Sequence, residues 1–101
     1  MTKHALTAFI YDKHDKLLSM GKNSYVKTHP LQAKYAQKTG THQKHFLHAE
    51  IAAIVRCRKI EKAHKIVVMR VDSTGKEQLA RPCKICELAI SFTPIKIIEH
   101  T

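Results

Sequence analysis

Leu47-His48-Ala49-Glu50-Ile51-Ala52-Ala53-Ile54-Val55-Arg56-Cys57, followed after a charged link by Ile66-Val67-Val68-Met69, is the stretch that decides the fold. Between Phe46 and Ile60 the apolar residues Leu47, Ile51, Ile54, Val55 and Cys57 recur mostly three or four apart, with alanines inside. That spacing predicts an amphipathic helix starting near His48. The second run, continued by Val71, is β-branched and bounded by charges, the pattern of a central strand covered on both faces and paired in parallel.

Upstream, Ala5 to Tyr11 is rich in strand formers, and Leu17-Leu18-Ser19-Met20 resumes the apolar pattern after the polar group Asp12 to Lys16, which predicts a hairpin. Pro30, followed by Leu31, Ala33, Tyr35 and Ala36 up to Gly40, suits a short helix with proline in its first turn and glycine past its end. Downstream, Ser73-Thr74-Gly75-Lys76 breaks the chain. Pro82 then opens a helix to about Ser91, and Pro94 precedes a last strand, Ile95 to Ile98. A hairpin followed by two strand-helix-strand passages predicts a three-layer α/β/α domain with a mixed sheet and right-handed crossovers.

Size and composition set limits on this reading. The 101 residues suffice for one domain that hides about 60 to 70% of its unfolded surface, a modest core that a bound metal would help. The longest apolar run, Ile51 to Val55, is five residues, far short of the roughly 18 that span a bilayer. Met1 to His4 offers a charged start but no secretory cleavage pattern follows, so the cytoplasm is the default compartment. Eighteen Lys and Arg against eight Asp and Glu give a formal charge of +10, spread along the chain. Phosphate-bearing partners, nucleic acid among them, fit that charge, and so does a surface that serves only solubility.

Three cysteines, Cys57, Cys83 and Cys86, are too few and too odd in number for a disulfide framework, and Cys57 is expected to stand apart. At spacing i, i+3 Cys83 and Cys86 share one face of a helical turn, where exposed N–H groups and the positive dipole end favour thiolates. His48 at the start of the other helix can supply a third metal ligand, leaving a fourth tetrahedral position for water. Glu50 projects to another side of that turn, close to such a water but not bound to the metal. The plainer readings are a redox or half-finger C-x-x-C and a first-turn acid worth about 0.3 to 1 kcal/mol to its helix. A structural site would need a further ligand, for which His42, His45, His64 and Cys57 are available in composition. A thioredoxin-like reading places the cysteine pair after an earlier strand than it occupies here.

His48-Ala49-Glu50 with Pro82-Cys83-Lys84-Ile85-Cys86 resembles the H-x-E and P-C-x-x-C signature of the zinc-dependent cytidine and deoxycytidylate deaminase superfamily. Leu47 to Ile51 and Pro82 to Cys86 are similar to the versions in deoxycytidylate and tRNA adenosine deaminases, and the likeness runs from about Leu6 to Ile98. The resemblance implies one zinc ion per chain held by His48, Cys83 and Cys86, with Glu50 as proton shuttle. It also implies Asn23 and Ala49 as substrate contacts, Asn23 at the sugar, although Asn23 equally suits a turn beside Gly21.

The activity implied is hydrolytic removal of the exocyclic amine of a free cytosine nucleoside or nucleotide. The alternative is a deaminase of cytosine or adenine in single-stranded nucleic acid, and a third class is a zinc-stabilised binding module. Few aromatic residues and no basic-aromatic interleaving favour the small substrate, whereas the +10 charge favours the polymer. The family carries a fifth strand and a further helix beyond the point where this sequence stops. A fold truncated after its fourth strand is therefore expected, with a homo-oligomer completing the pocket and the Lys22 to Lys44 segment choosing the substrate.

Overall fold

The computed structural model describes residues 5–23, 30, 33–34, 48–72, 74–80 and 83–101. Strands β1 (Ala5–Tyr11) and β2 (Leu17–Lys22) form the expected antiparallel hairpin. Helix α1 (Ala49–Arg56) and a 3-10 turn (Ile60–Lys62) follow, then β3 (Lys65–Val71), β4 (Glu77–Gln78), helix α2 (Lys84–Ser91) and β5 (Ile97–His100). The sheet runs β2-β1-β3, and the far edge of β3 is shared. β5 pairs in parallel along Lys65 to Val68, and β4 pairs antiparallel at Arg70 and Val71. The α/β class and the mixed sheet are thus as the sequence implies.

Both hairpin turns are closed by the same device. Asp12 and Asp72 each start a turn of five residues, and each Oδ1 accepts the backbone N–H two and four residues on: His14 and Lys16 at 2.8 and 2.9 Å, Thr74 and Lys76 at 2.9 and 3.1 Å. The fourth residue of each turn is left-handed, Asp15 with φ 60° and Gly75 with φ 84°. Aspartate and glycine are among the few residues that tolerate this region. The hydrogen bonds, led by those from Thr74, hold the Asp72 carboxyl at about 2.

Alternation on β1 and β3 turns Ala8, Ile10, Ile66 and Val68 to one face, where all four are fully buried. Ala49 and Ala53 of α1 and Ile90 of α2 join them in the same cluster, so the described helices lie on one side of the sheet. Burying each Ile or Val contributes about 1.5 to 3 kcal/mol. Of the two covered faces expected of β3, this one is buried. On the other, Val67 is half-buried and Met69 37% exposed among the described residues. Of the helix expected from Pro30 to Gly40, Pro30, Ala33 and Lys34 are helical and the rest lies outside the described residues, as does Pro82.

Two boundaries and one short strand differ from expectation. Helix α1 stops at Arg56 because Cys57 turns extended and sinks its side chain among Ala63 and the sheet residues. The last strand starts at Ile97 because Lys96 and Ile97 both donate to the His64 carbonyl, at 2.9 and 3.1 Å, before the ladder with β3 begins. The sequence showed no sign of β4, a two-residue strand made by the Asp72 turn. Among the described residues no helix is long and apolar enough to cross a membrane.

Helix α1 crosses β2 at very short range. A Cβ built on Gly21 would meet the Ala53 nitrogen at 2.3 Å and the Ala49 oxygen at 2.7 Å. Two residues earlier Ser19 donates its hydroxyl proton to the Ala53 carbonyl at 2.7 Å, in a buried bond. That carbonyl is one of the last-turn acceptors that a helix cannot satisfy itself.

Gly21→Ala is therefore expected to cost about 1 to 3 kcal/mol, since backbone rather than a flexible side chain stands in the way. Gly75→Ala meets nothing within 4 Å and should cost about 1 to 2 kcal/mol from its left-handed backbone alone. Urea denaturation compares them, and equal losses together with undisturbed metal binding by Gly21→Ala would refute the close contact.

Asp72 yields a pH prediction. Its folded value of about 2 lies below the ordinary 3.8, so its contribution is complete above 3.8 and is lost as the pH falls through 2. The gap in urea midpoint between the wild type and Asp72→Asn should hold steady near neutrality and close between those two values. A gap independent of pH would mean that the charge plays no part.

Candidate metal centre

Each of the two helices begins at a residue that can ligate a metal. His48 is the N-cap of α1 and Cys83 the N-cap of α2, both with extended backbone. Their carbonyls accept the first helical bonds, from Ala52 at 2.9 Å and Glu87 at 2.8 Å. Neither side chain caps its own helix, the usual duty of an N-cap side chain. They converge with Cys86, one turn into α2. His48 Nδ1 lies 3.3 Å from Cys86 Sγ and 3.5 Å from Cys83 Sγ. All three donor atoms fall within 4.8 Å of one another.

These distances fit a metal ion. Bonds of about 2.1 Å to nitrogen and 2.3 Å to sulfur at tetrahedral angles would hold the donors roughly 3.5 to 3.8 Å apart. The observed separations need to open by only tenths of an ångström. The set is soft and nitrogen-sulfur in character, suited to a thiophilic divalent ion and not to magnesium or calcium. Three protein donors leave one tetrahedral position.

Packing holds this cluster in place. Ile51 of α1 and Ile85, Cys86 and Ala89 of α2 form a second buried cluster that seats the two helix starts side by side. The cysteines divide their proton unequally: the Cys86 thiol donates towards Cys83, and with His48 beside it Cys83 is drawn down to about 3. The same contact and its burial push Cys86 up. The thiolate form is thus favoured at the half-buried Cys83 over the buried Cys86.

Glu50, in the first turn of α1, is 4% exposed. Burial raises its carboxyl above the ordinary carboxylate range, with the Cys86 thiol and its own N–H pulling the other way. Burial of an acid beside a metal-binding set favours its protonated form, which exposure in a first helical turn does not do.

The remaining expectations are placed as follows. Cys57 stands apart, buried in the sheet-side core. His64 turns its carbonyl to β5 and is not among the donors. His42 and His45 lie outside the described residues, as does most of Lys22 to Lys44. Asn23 ends the hairpin: its Oδ1 accepts from Leu6 N at 3.0 Å and its own N–H donates to Leu6 O at 3.2 Å. The Ala49 methyl is in the core, so only its main chain is available to a ligand. Ser19 and Gly21, which the sequence reading did not single out, set where α1 begins. Two small residues alternating on the helix-facing side of a strand were the available signal.

Comparison of the chain with known protein families and with curated proteins finds no match. The metal centre therefore stands on its geometry. Cobalt titration should show one ion per chain with thiolate charge-transfer absorption. Cys83→Ser or Cys86→Ser should weaken binding at least tenfold, and Cys57→Ser should leave it unchanged. Equal effects of all three substitutions would refute the assignment.

Proposed function

We propose that the protein is a zinc-dependent hydrolytic deaminase acting on the exocyclic amine of a free cytosine nucleoside or nucleotide. The observation that carries this reading is a buried Glu50, its carboxyl raised by that burial, within one helical turn of a His-Cys-Cys donor set. A purely structural metal site has no use for such a carboxyl, whose burial is costly. The His48-Ala49-Glu50 and Cys83-x-x-Cys86 spacing adds the resemblance to the deaminase signature.

His48, Cys83 and Cys86 would hold the zinc, which when bound lowers the pKa of a coordinated water from 15.7 to about 7. Glu50 takes a proton from the attacking water on its carboxylate oxygen. It delivers that proton to the ring nitrogen next to the amine-bearing carbon, C4 of cytosine, as the water oxygen adds there. A second transfer through Glu50 lets the amine leave as ammonia, so water and amine exchange for a carbonyl and ammonia. The raised carboxyl suits both halves of this task, because a group that ionises nearer neutrality both accepts and returns the proton readily. Asn23 and the Ala49 main chain are proposed as substrate contacts, and a homo-oligomer as the working form.

The +10 charge favours a second reading, deamination of cytosine or adenine in a single strand. Ammonia release from cytidine, deoxycytidine, their monophosphates, modified cytosines and short oligonucleotides separates the two. Free nucleosides or nucleotides are the expected substrates, and turnover of oligonucleotides alone would establish the second. Glu50→Gln should lose about 10² to 10⁴ in rate while keeping its metal. Retained turnover would remove Glu50 from the chemistry, and zinc bound without turnover of any substrate would overturn the enzyme reading.

A further inference from the structure

The end of α1 opposite the metal centre opens on a groove of about 470 Å³ whose lining includes Lys16, Arg56, Arg58, Lys59 and Lys62, with Asp12 as its one carboxylate. All five cations are exposed, and among the described residues none of them forms an ion pair. Asp12 offsets no more than one of these five charges. Its Oδ1 already accepts from the His14 and Lys16 backbone N–H groups, which hold its carboxyl below the usual range.

A stabilising role accounts for one of these charges. Arg56 lies in the last turn of α1, where a cation is worth about 0.3 to 1 kcal/mol against the helix dipole. Arg58, Lys59 and Lys62 lie beyond the helix, and Lys16 arrives from the β1–β2 turn. Like charges gathered in a concavity repel one another, a cost that an anionic ligand removes. The size suits a ligand, since binding clefts run from about 300 to 1,000 Å³.

We infer that this groove binds the sugar-phosphate backbone of a single-stranded nucleic acid. Lysine and arginine in an open trough offer several donors to phosphate oxygens, and the half-exposed Leu17 on the lining offers an apolar surface to a sugar or base. A concave trough excludes the flat surface of an anionic bilayer. Helix α1, eight residues long, spans about 12 Å, so the groove is distinct from the metal centre. The inference holds whether or not the deaminase reading does, because its readout is binding.

The test is fluorescence anisotropy of a labelled 12-nucleotide single strand at 50 and 200 mM salt, with inorganic tripolyphosphate and phosphatidylserine vesicles as competitors. Arg58→Gln/Lys62→Gln should weaken strand binding about tenfold and reduce the salt slope by about 1.4, at roughly 0.7 per lost phosphate contact. Lys76→Gln, which removes an exposed charge elsewhere, should change neither. An unaltered metal content and circular dichroism spectrum confirm that the double variant is folded, and Arg58→Lys should restore most of the affinity of Arg58→Gln. Equal losses with Lys76→Gln would reduce the effect to net charge and overturn the site. Tripolyphosphate or vesicles that compete as well as unlabelled strand would overturn the choice of ligand, and no strand binding at 50 mM salt would overturn the inference outright.

Discussion

The contact between the backbones of β2 and α1 at Gly21 is the constraint on which the rest depends. With no side chain at that position the helix lies against the strand, and Ser19 fixes it lengthwise by taking up the Ala53 carbonyl. The N-terminus of α1 is thereby set above the sheet, and with it both His48 and Glu50. A helix held off by even one methyl group would carry both residues with it. Donor atoms now 3.3 and 3.5 Å apart have little room for such a shift.

Electrostatic cost is concentrated at the same place. A buried carboxyl and two cysteine sulfurs, one buried and one half-buried, occupy the start of two helices, where exposed N–H groups soften the penalty without removing it. The small core nearby consists mainly of Ile51, Ile85 and Ala89, which leaves no large reserve to offset it. A cation bridging the sulfurs and imidazole would offset that penalty, which is how metal binding couples to folding in small metal-binding domains. The opposite end of α1 carries the reverse arrangement, a crowd of cations with one engaged carboxylate.

Much of this was legible in the residue order. The strand-forming residues of Ala5 to Tyr11, the apolar pattern resumed at Leu17 to Met20 and the apolar run from Ile66 to Val71 identified the hairpin and the central strand, because a buried sheet face dictates side-chain chemistry directly. The i, i+3 cysteines and the His-x-Glu triplet identified the donor set, because helical geometry fixes which side chains share a turn. Positions set by hydrogen bonds to main-chain atoms were not legible. The start of β5 is decided by the His64 carbonyl, β4 by the carboxylate of Asp72, and the end of α1 by Cys57 turning inward, none of which leaves a periodic trace. The repeated pattern of aspartate, two residues, a left-handed fourth position and lysine, at Asp12 to Lys16 and Asp72 to Lys76, was present but visible only after the two turns could be superposed.

The shared edge of β3 has a mechanical consequence. β5 runs parallel to β3, so tension drawing the two strands apart along their length loads their hydrogen bonds together, in shear. β4 returns through a tight turn, and the same tension there opens its bonds one after another, as a zipper opens. Thr101 joins the two regimes: its N–H donates to Val68, its carbonyl accepts from Ala80, and its hydroxyl bonds both Arg70 N and the Gln78 carbonyl. The weak hairpin is thereby riveted to the strong parallel pair, and peeling β4 from the sheet first requires breaking a joint that the shear-loaded strand supports.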